Sequence, residues 1–311
     1  PINIATGNKF QKESDYISPK AGGLRYQRYF NSQAVGIPNR YSRGWRADYW
    51  QRIIQSNTAD IVTVIRADDR VLSFYLRGAT WRKDDDVVEK LEEITDSNGN
   101  RTGWLFTTAD DVVEEYGINS GGAWRPVKYT DRNGFETTLE YNLTGGNFDN
   151  NPYTLDRVTG PFGATLEFHY NSNNNLVTVI DPAGNEIKYE RDAIGNLEYV
   201  IFPDDTPLDP NDNPRRQYHY EDPNFPTFLT GITDETGQRL STYVYDGEGR
   251  TIVSEQNGGV ERIEVVYNSD GTTTVTDSKN EAQTYSFDIT QGVANIVNLS
   301  SDACADCGST Q

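Results

Sequence analysis

The 311-residue chain contains no methionine, two histidines and two cysteines, and its 28 Lys and Arg are outnumbered by 47 Asp and Glu. With no methionine and Pro1 at its head, the sequence reads as a processed or excerpted piece of a longer polypeptide. The shortage of bases leaves a formal net charge of −19. The acids are spread along the whole chain, so nucleic acid and anionic membrane are excluded as expected partners, because both would repel it. Long apolar runs are also missing. The longest β-type stretch, Ile61-Val62-Thr63-Val64-Ile65, falls far short of the roughly 18–20 residues of a membrane helix, and no membrane insertion is expected.

Catalytic signatures are equally scarce. There is no Gly-x-Ser-x-Gly, no His-Glu-x-x-His and no P-loop. His169 and His219 each lie between aromatic neighbours on the polar side of an alternating strand, where an exposed or cross-strand-paired imidazole is expected. No enzyme activity and no cofactor are therefore expected. Cys304 and Cys307 offer half of a tetrahedral zinc site whose other two ligands would have to be His169 and His219; a local or intermolecular disulfide is the favoured reading. The acidic run Asp84-Asp85-Asp86 and the insertion from Asp204-Asp205 to Asp212-Asn213 hold oxygen ligands, but neither has the spacing of an EF-hand, and both read as solvated loops.

What the chain does hold is a recurring turn. Asp-x-x-Gly occurs at Asp131 to Gly134, Asp181 to Gly184, Asp192 to Gly195, Asp234 to Gly237 and Asp246 to Gly249, with a further copy at Asp96 to Gly99. Gly184 and Gly195 are about 11 residues apart, the length of one strand plus one tight turn. Asp at the first position accepts from amides further along the turn, and Gly at the fourth tolerates positive φ. Between turns the residues alternate in twos: Leu166, Phe168 and Tyr170 oppose Thr165, Glu167 and His169; Leu197, Tyr199 and Ile201 oppose Glu198 and Val200; Ile263, Val265 and Tyr267 oppose Arg262 and Glu264. This is the pattern of antiparallel strands with one buried face.

An all-β fold follows, with a lean core: apolar residues make up 35% and the mean hydropathy is −0.72, but 19 Tyr, 12 Phe and 5 Trp line a sheet with large side chains. Those tyrosines share a face with Leu and Ile, which favours sheet lining over stacking on a bound glycan. The expected organisation is a less regular segment 1–125, a repeat array 126–292 with loop insertions at 145–152 and 203–214, and a tail 293–311 carrying the two cysteines. Val87/Val88, Leu91 and Ile94, and again Val112/Val113 and Tyr116, also fit helical spacing, although strand-like segments flank both.

The opening Asn3-Ile4-Ala5-Thr6-Gly7-Asn8-Lys9, with Glu13, Asp15-Tyr16, Leu24-x-Tyr26-x-Arg28-Tyr29-Phe30-Asn31-Ser32 and Gly44-Trp45, resembles the segment that precedes the repeats of bacterial RHS-type proteins. Tyr189-Glu190-Arg191-Asp192-Ala193-Ile194-Gly195-Asn196-Leu197 and Tyr245-Asp246-Gly247-Glu248-Gly249-Arg250 resemble the tyrosine–aspartate (YD) repeats of that family. The resemblance implies an antiparallel strand ribbon winding as an open spiral, a partial β-shell, in a secreted or cell-surface protein of structural role. Larger members close such a shell around a C-terminal payload. This chain is too short to enclose one, and Asp181-Pro182-Ala183-Gly184 reads as an ordinary repeat turn, not as a self-cleaving block. The partners implied are the rest of a parent protein or further copies of the chain, edge to edge as in a filament; the alternative is a glycan-binding adhesion module or a shell fragment of a toxin-delivery RHS protein.

Overall fold

The computed structural model describes residues 1–34, 44–55, 60–78, 80–142, 153–204, 206, 212–290 and 293–301. Regular structure in these residues is almost entirely antiparallel strand, with a single 3-10 turn at Asn257–Gly259. No helix is long and apolar enough to cross a membrane, which says nothing of β-barrels.

Three strands, β1 (Phe10–Ile17), β2 (Arg25–Asn31) and β3 (Trp45–Ala47), pair only among themselves in a small sheet. The other strands form one continuous ribbon. It begins with β4 (Arg52–Gln55), β5 (Ile61–Ile65), β6 (Val71–Arg77) and β7 (Thr80–Arg82), then runs through β8 (Lys90–Thr95), β9 (Arg101–Thr107), β10 (Val113–Ser120), β11 (Ala123–Thr130) and β12 (Glu136–Asn142). From Thr154–Thr159 to Val293–Ser301 each strand pairs with the one before it, so the ribbon is a long meander. Its one branch is at β11, whose first residues pair with β4 while its last pair with β12. Among the described residues, β7, β8 and Val293–Ser301 have no partner on their outer edges, and the ribbon stays open. The sheet boundary thus falls between Ala47 and Arg52.

Neither segment with helical spacing is a helix: Leu91 and Ile94 lie in β8 and Val113 and Tyr116 in β10, while Val87, Val88 and Val112 precede these strands. Leu91 faces the core beside Trp104 and Phe106 of β9, and Tyr116 is fully buried in the same cluster. Burial in β10 alternates in twos, with Glu114 and Tyr116 inward and Val113 not buried, so the three-residue apolar interval does not mark one face.

The turns share one hydrogen-bond pattern. At Asp181 the backbone carbonyl accepts from Gly184 N at 2.9 Å, while Oδ1 accepts from Ala183 N at 2.8 Å and Asn185 N at 2.9 Å. Asp131, Asp192, Asp234 and Asp246 repeat it. The strands that follow the Asp192, Asp234 and Asp246 turns, and the one after Asn171, carry a β-bulge just after they start, whereas those after Asp131 and Asp181 keep a regular register. Leu176 pairs with Tyr170 and Thr178 with His169, leaving Val177 extra; Leu197 pairs with Arg191 and Tyr199 with Glu190, leaving Glu198 extra. The extra residue switches the strand's faces, so the inward pairs are three residues apart: Leu155 and Val158, Leu176 and Val179, Leu197 and Val200. Strict alternation over 197–201 is thereby corrected: Val200 points into the core and Tyr199 does not.

Candidate functional site

The inner face of the ribbon is covered by the opening segment of the chain. Leu24, Tyr26, Phe30, Trp45, Ala47 and Tyr49 form a single buried cluster with residues of the ribbon from Leu139 to Tyr245. Residues 1–31 cross the ribbon strands in succession. Thr273 Oγ1 donates to Ile4 O at 3.0 Å, Thr251 N and Oγ1 donate to Gly7 O at 2.8 and 2.9 Å, and Tyr243 Oη donates to Gln11 Oε1 at 3.2 Å. Further in, Arg216 pairs with Glu13, and Trp45 Nε1 donates to Tyr220 Oη at 2.9 Å.

Arg28 and Asp15 occupy the centre of this contact, and both side chains are 0% exposed. The guanidinium donates from Nε at 2.6 Å and from Nη2 at 2.9 Å to the two carboxylate oxygens, a bidentate fork. Two ribbon tyrosines complete the group: Arg28 Nη2 also donates to Tyr218 Oη at 2.7 Å, and Tyr189 Oη donates to Asp15 Oδ2 at 2.8 Å. The guanidinium carbon lies 4.7 Å from the Trp45 ring centroid and 5.1 Å from that of Tyr218. Burial opposes the charge on Arg28, but the Asp15 carboxylate outweighs it and holds the guanidinium protonated well above its ordinary range. Burial also pushes the Tyr218 phenol up. A buried cation whose Nε and Nη2 are held by a carboxylate and a phenol, with two aromatic faces around it and only Nη1 without a hydrogen-bond partner among the described residues, is a fastener.

A cavity of about 400 Å³ opens where this sheet meets β10 to β12, lined among others by Asp48, Tyr49, Gln51, Arg66, Glu114 and Tyr129. Two buried carboxylates face it, the arrangement in which acid–base chemistry would be sought. Burial raises the pKa of Asp48, whose oxygens accept from Tyr29 Oη at 3.0 Å and Gln27 N at 3.1 Å. Glu114 is held by Arg66 at 2.5 and 2.7 Å and accepts from Tyr116 Oη at 2.7 Å. Both carboxylates are thus engaged by the protein's own donors.

The remaining candidates are dispersed. His219 Nε2 meets Thr233 Oγ1 at 2.7 Å, and its pKa is lowered by burial and then by Arg239, so the ring is neutral at pH 7. His169 lies on the strand Thr165–Tyr170, opposite Thr178. Asp84 closes a turn with Val87, and Asp204 and Asp212 both accept from Thr206 Oγ1. Among the described residues no three His, Cys, Asp or Glu side chains gather as a metal-ligand set. The insertion 145–152, most of 205–211 and both Cys304 and Cys307 lie outside the described residues.

Residues 1–74 match a domain of unknown function, DUF6531, and residues 157–204 match the RHS repeat. No curated protein matches the chain. Similar solved structures include a TcdB2-TccC3 protein without its hypervariable C-terminal region, at 16% identity over 79% of this chain and 15% of that one, with a TM-score of 0.35. Another is the Tc holotoxin pore of Photorhabdus luminescens, at 12% identity over 78% of this chain and 15% of that one, with a TM-score of 0.32. The N-terminal domain of the effector SpvB from Salmonella typhimurium is similar at 14% identity over 90% of this chain and 95% of that one, with a TM-score of 0.30. The chain spans about 15% of the Tc proteins it matches.

Proposed function

We propose for this RHS-repeat protein a non-enzymatic, structural role: it is a scaffold segment of a secreted or cell-surface bacterial protein, in which the opening sheet seals the inner face of a strand ribbon. The observation that carries this reading is the Arg28–Asp15 pair bonded to Tyr218 and Tyr189, because it commits two charged side chains that are wholly buried to holding shape. The carboxylates of the one cavity described above that could have suggested catalysis are likewise engaged internally.

The open edges favour continuation. Among the described residues the outer edge of Val293–Ser301 pairs with no strand, and Ile296, Val297 and Leu299 on it are exposed, which invites another strand unless covered. The rest of a parent chain or a neighbouring copy would supply it, and with head-to-tail geometry the latter propagates a filament. Electron microscopy and size-exclusion chromatography of the isolated chain test this. Particles with a strand-ribbon shape that lengthen with concentration support self-assembly; a strictly monomeric particle at high concentration removes it and leaves continuation within a parent protein.

A further inference from the structure

Arg28 shows how this protein fills the side-on edge of a buried guanidinium: Nε and Nη2 are met by the two oxygens of Asp15, while Nη1 has no partner among the described residues. Arg52 presents the same edge with nothing in it. Its Nε and Nη2 are both buried from solvent, and among the described residues neither has a hydrogen-bond partner. A polar group in this condition loses its water without replacement, and for a cation the cost is larger than for a neutral donor.

The neighbours worsen the imbalance. β4 and β11 run antiparallel with Ile54 opposite Ala123 and Ile53 opposite Trp124; the next residues along this direction are Arg52 and Arg125, and the Arg125 charge acts on Arg52. Like charges directly opposite on adjacent strands destabilise the pair. Arg46, at the middle of β3, also lies close enough to repel Arg52, although its own charge is met by Asp69. Burial, then Arg46 and Arg125, depress the Arg52 pKa to about 10. Tyr141 adds a buried hydroxyl with no partner, in the field of Arg125. In a chain of net charge −19, two guanidinium groups at the branch of the ribbon with a third on the neighbouring small sheet are conspicuous.

We propose that the Nε/Nη2 edge of Arg52 is an anion-receptor site that takes a carboxylate in the bidentate manner of Asp15 on Arg28, either as a free small carboxylate or as an acidic side chain presented by another segment. The fork is planar and fixed, and a carboxylate matches both of its donors at once. The bound anion would also screen Arg52 from Arg125 and Arg46.

The test is thermal unfolding of the full 311-residue chain in sodium acetate, or in N-acetylaspartate amide, against sodium chloride at equal ionic strength. Binding to the folded state raises the midpoint; occupancy well above the dissociation constant is expected to shift it by roughly 4–8 °C. A shift with acetate identifies a free carboxylate as sufficient, and a shift with the blocked aspartate alone identifies a presented side chain. Arg52→Gln should abolish the shift and, in chloride, unfold at a higher temperature than the parent because the like-charge contact is gone. Should Arg52→Gln not fold, Arg52→Lys, which keeps the charge but not the fork, should lose the response. Equal midpoints in all three salts, or an undiminished shift in Arg52→Gln, would overturn the proposal.

Discussion

Arg28 of the opening sheet and Asp15, which faces it across the same sheet, share a bidentate contact at 2.6 and 2.9 Å from which solvent is wholly excluded. Because Tyr218 and Tyr189 bond to this pair from the ribbon, the junction of the two sheets depends on a charge pair as well as on apolar packing.

Removing one partner leaves the other charge buried and uncompensated. Asp15→Ala is expected to cost about 3–5 kcal/mol of unfolding free energy, whereas Tyr189→Phe removes only one hydrogen bond to a carboxylate and should cost about 1–2 kcal/mol. A joint Asp15→Leu, Arg28→Met replacement should recover much of the loss. Urea midpoints of the three variants check the order.

Two glycines with positive φ separate steric from conformational cost. At Gly195, φ is 93° and an added methyl group would meet nothing within 4 Å; at Gly7, φ is 76° and the methyl would come 2.3 Å from Arg250 Cβ and 2.8 Å from its Cα. Gly195→Ala is therefore expected to cost about 1–2 kcal/mol, from left-handed backbone alone. Gly7→Ala should cost more, because the opening segment must move away from the Thr251 strand to which Gly7 O is bonded. Chemical denaturation of the two variants tests the ranking.

Much of this was legible in the sequence and some was not. The turns announced themselves through Asp and Gly, since a carboxylate that accepts two amides and a residue free to take positive φ are local requirements. Turns that meet the same needs with other residues escaped notice: Asn171 accepts from Asn173 N and Asn175 N with Asn174 at φ 57°, and Asp277 does the same with Asn280 at φ 63°. The bulges left a readable trace in the repeated Leu-x-x-Val of the return strands, an interval that strict alternation does not allow. The role of Arg28 was hidden for another reason: its partners Tyr189 and Tyr218 lie far along the chain, and nothing local distinguishes a fastened arginine from a solvated one.

The pH dependence should contain two opposed components. Phe135 N and Asn133 N hold the Asp131 carboxyl below its ordinary value, and Thr236 Oγ1 with Gln238 N does so for Asp234. Groups of this kind contribute stability above the unfolded pKa of about 3.9 and lose it as the pH falls through their lowered folded values. Asp48 has the opposite sign. Burial raises its folded pKa, so the native state binds its proton more readily than the unfolded chain, and stability falls as the pH rises from about 3.9 through that raised value. Asp48→Asn should remove this fall and leave the acid-side loss in place. Urea midpoints of parent and variant between about pH 2 and 7 distinguish the two.

The final strand provides the test of what the open edge does. Ile296, Val297 and Leu299 are 56%, 61% and 53% exposed, and they occupy both faces of Val293–Ser301, whose outer edge pairs with no described strand. If copies of the chain join there, a lysine on this edge should prevent it, because a buried ammonium opposite an apolar strand has no partner. Val297→Lys and Leu299→Lys should then reduce concentration-dependent association by an order of magnitude or more. Since both positions are exposed in the single chain, unfolding free energy should change by no more than about 0.5 kcal/mol. Sedimentation equilibrium over a wide concentration range reads the first effect and denaturant titration the second. Equal association of parent and variants would move the contact to the other open edges, at β7 and β8, where Trp81 and Leu91 already pack inward and less apolar surface remains to drive it.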